Sequence, residues 1–345
     1  MATVAPGGDV QYEVVSYTSQ GGRNYQEDRK KVVEDFNEIV PETTEIDRSV
    51  RRALFCIFDG HGGDACSDYL YQNFHKLLAG SSKIGTDPKG AIKEAWDAAE
   101  EGIKKRLLSR YERKLKEAKA KNKEEKDVKF PCDGSTASIA LFVGNLIYIA
   151  GCGDSSIVSV GQTKDSITVY TADHSTVNPT EVARVEAAGG KFVQKTMKAP
   201  GAFPFCCKMV EKNLGKPRVQ PGGLLVTRSF GDFQAKLPVA GGVPGNVIHD
   251  FEEIKEVTID PNWLYFIVAS DGIWDGIPMD KLFKVIKTEV EDSEFDYGKT
   301  PENRSKRRTK VVKGLTNAAV DSEYWTRQGA EADNTTAVVL FFGER

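Results

Sequence analysis

Short apolar runs bounded by turn residues recur along the chain, and their length predicts strands more often than helices. Residues 53–58 read as a buried strand that stops at Asp59. Residues 138–143 and 146–150 flank Gly144-Asn145, a two-residue turn signal, and so predict a hairpin. Residues 157–160 and 167–170 flank a polar turn and predict another. Runs at 224–227, 263–269 and 336–342 complete a strand-rich, mainly antiparallel set. Two stretches instead follow the helical period. Tyr69, Leu70, Phe74, Leu77 and Leu78 form one apolar face, and Ile92, Trp96, Ala99, Ile103, Leu107, Tyr111 and Leu115 form another. The second pattern runs into a charged insertion near 112–129 that has lost its apolar stripe, which predicts a solvated helix end rather than a docking surface.

Acidic residues stand at the ends of several apolar runs. Asp59 closes LFCIFDGHGG, Asp271 closes YFIVASDGIWDG, Asp333 opens EADNTTAVVLFF, and Glu27-Asp28 lie in GGRNYQED. An ionised carboxylate is costly to bury alone, so carboxylates fixed to core strands tend to share a cation. Oxygen-only ligands favour hard ions such as Mg²⁺ or Mn²⁺ over Zn²⁺. A zinc site is further disfavoured because the chain has only four histidines and its six cysteines form no C-x-x-C pair. The vicinal Cys206-Cys207 pair is read as two loop or core thiols rather than a redox couple.

Composition changes this picture little. The 345 residues are 40% hydrophobic and 28% charged, ample for a sizeable core, and the net charge of -3 gives no reason to expect nucleic acid. No signal peptide, myristoylation signal or membrane-spanning run is visible, so a cytoplasmic location is expected, with the basic run near Lys306 a weak nuclear alternative. No repeat or Pro/Gly/Ser-rich linker divides the chain, and the acidic positions extend from Glu27 to Asp333, which predicts one domain over 1–345.

Taken singly these motifs are weak, since an Asp-Gly is usually a turn. Their order is more specific. RNYQED, DGHGG, DGSTA, GDSS, DHST, LLVTRSFGD, SDGIWD and DN, in that sequence, resemble the type 2C family of metal-dependent Ser/Thr protein phosphatases from about residue 12 to 342. The resemblance implies an α+β fold, a four-layer αββα sandwich of two antiparallel sheets flanked by helices. It implies hydrolysis of phosphoserine and phosphothreonine in proteins with two Mn²⁺ or Mg²⁺ ions, and a third, weaker ion. Asp59, Asp271 and Asp333 would hold one ion, and Glu27, Asp59 and the Gly60 carbonyl the other. Asp28 would orient water at the ions, Asp154 with Asp271 would hold the third ion, and Arg23 would bind substrate phosphate. His61, adjacent to Gly60, is expected to protonate the departing alkoxide, with a structural or substrate-orienting role as the alternative.

Thr136 and Asp275 are expected to support the site by hydrogen bonds, and His174 to be structural. Ser156 departs from the arginine common in the family, which bears on local anion contacts. A flap near 178–232 carries a stretch longer than is usual in the family, in which Phe203, Phe205 and Met209 are read equally as contacts for protein substrates and as packing against the body of the domain. A monomer acting on phosphoproteins, without nucleic acid or membrane partners, is the expectation. The competing readings are a catalytically silent scaffold of the same fold and a hydrolase of small phosphorylated metabolites.

Overall fold

The computed structural model describes residues 11–200, 209–251 and 253–343. Cys206, Cys207, Phe203 and Phe205 lie outside them. In chain order the strands of the N-terminal half are β1 (Tyr12–Ser19), β2 (Arg29–Val33), β3 (Arg52–Phe58), β4 (Gly60–His61), β5 (Gly134–Ser135), β6 (Ala137–Val143), β7 (Leu146–Cys152), β8 (Ser156–Val160) and β9 (Ile167–Val169). Then follow β10 (Lys191–Pro200), β11 (Met209–Gln220), β12 (Phe230–Gly231), β13 (Lys255–Thr258), β14 (Tyr265–Ala269) and β15 (Thr335–Phe342). The helices are α1 (Ala65–Ala79), α2 (Pro88–Ala120), α3 (Pro179–Ala187), α4 (Phe233–Lys236), α5 (Asp271–Gly276), α6 (Met279–Tyr297), α7 (Arg304–Val320) and α8 (Glu323–Gln328).

Two five-stranded antiparallel sheets, β1-β15-β14-β8-β9 and β13-β7-β6-β3-β2, form the centre. Strand β3 shows how the sequence sorts itself into layers. Successive side chains point to opposite faces of a strand. Ala53, Phe55 and Ile57 therefore enter the core between the sheets, with Phe142, Phe266, Val338 and Leu340. Leu54, Cys56 and Phe58 join Leu70, Phe74 and Trp96 under α1 and α2. On the far side Ile267, Ala337 and Val339 meet Leu282, Ile286, Val312 and Leu315 of α6 and α7. The result is helix, sheet, sheet, helix, the expected four-layer sandwich. Each large side chain buried in these layers contributes about 1.5–3 kcal/mol.

The hairpin at Gly144-Asn145 forms with Val143 opposite Leu146, and Gly144 takes the positive φ (+59°) that its turn requires. Helix α2 begins at Pro88 behind Asp87, whose side chain accepts from the Gly90 N–H, and it continues to Ala120 although its last deeply buried stripe residue is Leu107. Residues 224–227 differ from expectation. They make only single bridges, Leu224 to Val219 and Val226 to Ser175, because Gly222 and Gly223 (φ +118° and +73°) turn the chain sharply just before them. The flap carries α3 and a two-stranded ribbon, β10 with β11. The basic run near Lys306 forms α7, where Arg308 is buried and ion-paired to Glu13 of β1.

Candidate metal and phosphate site

The acidic residues converge where the two central sheets end. Asp59 follows β3, Asp154 follows β7, Asp271 follows β14 and Asp333 precedes β15. Carboxylate oxygens of Asp59, Asp154 and Asp271 all lie within 4.8 Å of one another. Like charges so close raise one another's pKa. Burial pushes Asp59 and Asp271 far above the ordinary carboxylate range, and mutual repulsion adds to it. Asp154 is raised to about 6 by burial and then by Asp173.

Asp28 is 3% exposed and reaches about 6, chiefly through burial. Its Oδ2 accepts from Ser270 Oγ (2.8 Å), while its Oδ1 is buried with no hydrogen-bond partner. A buried orphan oxygen beside crowded carboxylates is a donor set that divalent cations satisfy, so these residues fit hard metal ions.

The remaining predicted ligands stand around this centre in other partnerships. Glu27 Oε1 accepts from the Gly63 N–H (2.7 Å), and burial raises its pKa. Asp333 Oδ2 accepts from Arg23 Nη2 (2.8 Å). Burial alone would lower the Arg23 pKa, but Asp333 and Tyr25 together outweigh it and the net shift is upward. A Cβ on Gly60 would stand 2.6 Å from Ser67 Oγ and 2.7 Å from the Glu27 carbonyl oxygen, so only glycine fits between these two elements. Asp154, expected only at the third ion, is thus one of the three carboxylates that lie within 4.8 Å of one another.

His61 sits at the edge of the acidic centre with Nε2 2.6 Å from Asp232 Oδ2. Burial would lower its pKa, but Asp232, with Asp154 and Glu27 behind it, outweighs burial and the net shift is upward. Asp232 is fully buried, and burial opposes its ionisation. His61, Ser229 and Lys236 more than compensate, leaving its pKa below the usual range. The pair is built to remain charged. Gly134 makes room for it, since a Cβ there would lie 2.2 Å from Asp232 Oδ2 and 2.3 Å from His61 Nε2.

Sequence reasoning missed Asp232 as the histidine partner. It also missed Asn334, whose Oδ1 accepts from the Glu27 N–H while its Nδ2 donates to the carbonyls of Gln20 and Tyr25. Ser270, which donates to Asp28, was the third omission. Of the two expected helpers, Thr136 bonds to a site residue and Asp275 bonds outside the site. Thr136 N–H donates to the Asp59 carbonyl, and its Oγ1 accepts from the Asp59 N–H. Asp275 accepts from Tyr324 Oη (3.1 Å). His174 is buried against Gly153, whose N–H donates to its Nδ1, consistent with a structural role.

A sandwich of this kind with a carboxylate centre between its sheet ends defines a class, and comparison places the chain within it. The family profile described as Protein phosphatase 2C matches residues 13–321. The chain belongs to the protein phosphatase 2C family. It is 31% identical over 255 residues to a probable protein phosphatase 2C 59 of Oryza sativa subsp. japonica, covering 74% of this chain and 62% of that one. Probable protein phosphatase 2C 69 of Arabidopsis thaliana is 30% identical over 294 residues, covering 85% and 62%. The chain thus spans about three fifths of the length of these relatives. Among solved structures, a serine-threonine phosphatase 2C from Toxoplasma gondii shares the fold with a TM-score of 0.62 at 18% identity, over 97% of this chain and 98% of that one. A C. elegans sex-determining protein gives 0.63 at 21%, over 96% and 64%.

Proposed function

We propose that this protein removes phosphate from phosphoserine and phosphothreonine side chains of proteins, using Mn²⁺ or Mg²⁺. The observation that carries the reading is the meeting of Asp59, Asp154 and Asp271 beside two separately built charged pairs, Arg23–Asp333 and His61–Asp232. Asp59, Asp271 and Asp333 would hold one ion, Glu27, Asp59 and the Gly60 carbonyl a second, and Asp154 with Asp271 a third. Bound divalent ions supply an activated water and offset the charge of the phosphate.

The protein's own groups do the rest. Arg23 offers a planar fork of donors, one of them already held on Asp333, which aims the guanidinium at the same centre. Asp28, fixed by Ser270, keeps its free Oδ1 to orient water. His61 has Nε2 committed to Asp232, so Nδ1 is the ring nitrogen left to deliver a proton to the leaving alkoxide. A serine or threonine alkoxide is a poor leaving group, and a histidine held in its charged form suits that step.

The test is phosphate release from a phosphothreonine peptide by chelated protein, then with Mn²⁺ or Mg²⁺ restored, alongside Asp271→Asn. Metal-restored turnover that the variant lacks supports the reading. No turnover from folded, metal-loaded protein would favour a silent scaffold, and a strong preference for sugar phosphates over phosphopeptides would replace the substrate class.

A further inference from the structure

The ribbon of β10 and β11 is paired regularly until Val193 faces Arg218, and pairing resumes with Lys195 opposite Leu214. Between those points one residue, Gln194, faces three: Gly215, Lys216 and Pro217. A bulge of this kind turns the strand and re-aims a side chain, and such bulges gather next to active sites. Here it is pinned at both ends. Gln194 Nε2 donates to the Gly215 carbonyl (2.5 Å), and Thr176 Oγ1 donates to the Pro217 carbonyl (2.6 Å). Gly215 adopts φ +69°, which lets the chain make the detour.

The side chain that this detour delivers is a cation directed at the acidic centre. Lys216 Nζ lies 3.7 Å from Asp275 Oδ1. Burial would lower its pKa, but Asp275, Tyr324, Asp154 and Asp271 together raise it. Asp275 stands one helical turn after Asp271 on α5, so the contact places the ammonium on the Asp271 side of the cluster. The ammonium therefore supplies positive charge on the side of the cluster where Asp154 and Asp271 meet.

We propose that Lys216 is a tethered counter-cation that competes with a divalent ion for the Asp154–Asp271 side of the site, coupling metal occupancy to the position of the flap ribbon. The inference rests on the metal-dependent reading above. When a divalent ion occupies that side, repulsion drives Lys216 outward and loosens its hold on Asp275. By reciprocity, whatever draws the ribbon away raises affinity for that ion by the same factor.

The experiment is calorimetric titration of chelated protein with Mn²⁺, comparing wild type with Lys216→Ala, Lys216→Arg and Lys195→Ala. Lys195 is exposed on the same ribbon and controls for a general loss of positive charge. Lys216→Ala should tighten the weakest Mn²⁺ binding event about fivefold or more, with Lys216→Arg and Lys195→Ala close to wild type. Unchanged or weaker binding in Lys216→Ala, or equal tightening in Lys195→Ala, would overturn the proposal. If wild type itself takes up no Mn²⁺, the metal-dependent reading fails instead.

Discussion

Two groups of charge, each partly buried, lie side by side in this site and are balanced in opposite ways. His61 and Asp232 form a closed account of opposite charges, with Ser229 Oγ and Gln234 Nε2 donating to the carboxylate as well. Asp28, Asp59, Asp154 and Asp271 form an open one, in which burial and repulsion raise every pKa. A satisfied buried pair rigidifies its surroundings, whereas crowded carboxylates are tolerated only because the sandwich holds them in place. The first arrangement fixes the His61 ring, as the proposed proton donation requires. The second suits the proposed cation binding, at the expense of stability where no cation offsets the charge.

Breaking the open group should have the largest effect. Asp271→Asn should reduce Mn²⁺ affinity by more than the roughly 10–100-fold that loss of an outer partner costs, and abolish metal-restored phosphate release. Undiminished turnover at low metal would refute its role as ligand. Next in size is the closed pair. His61→Ala should slow alkyl phosphates about 10²–10⁴-fold while sparing aryl phosphates, whose leaving groups need little protonation. Equal losses on both substrates would argue against proton donation.

Asp232→Asn should act through His61. Asp232 raises the His61 pKa, so its neutralisation should move the alkaline limb of the alkyl-phosphate profile down by about one pH unit or more. An unmoved limb, with only a lower rate, would make Asp232 merely structural.

The smallest effect is one of stability, and its sign follows from the raised pKa values. A carboxylate with a raised folded-state pKa contributes stability that is complete below its ordinary value and fades as pH rises through the new one. For Asp28 and Asp154 that window runs from about 4 to about 6. The gain in Tm on adding Mn²⁺ should therefore be greater at pH 7.5 than at pH 5.5. Thermal melts with and without chelator check this, and an equal gain at both values would contradict it.

Much of the sandwich was legible because its strands are apolar and bounded by turns, as at residues 53–58 and 336–342. The carboxylates were legible because they stand at the ends of those runs. What stayed hidden had no local signal. Asp232 meets His61 across 171 positions of sequence, and Asn334 reaches Glu27 across 307. Helix α7 was obscured by its arginines and lysines, although Val311, Val312, Leu315 and Ala319 mark its buried face. The ribbon of β10 and β11 lacks a sustained apolar alternation, and the chain gives no sign of the bulge that aims Lys216.

One pairing described above also sets an order of events. Strand β1 lies along β15, and Asn334 at the head of β15 clasps the loop that carries Arg23 and Glu27. The first and last strands of the described fold must therefore meet before the centre is complete. On a ribosome, a growing chain could bury most of its hydrophobic layers while still lacking Asp333 and the clasp that positions Glu27. Such a nascent chain would lack the complete centre, which would form only once β15 is in place.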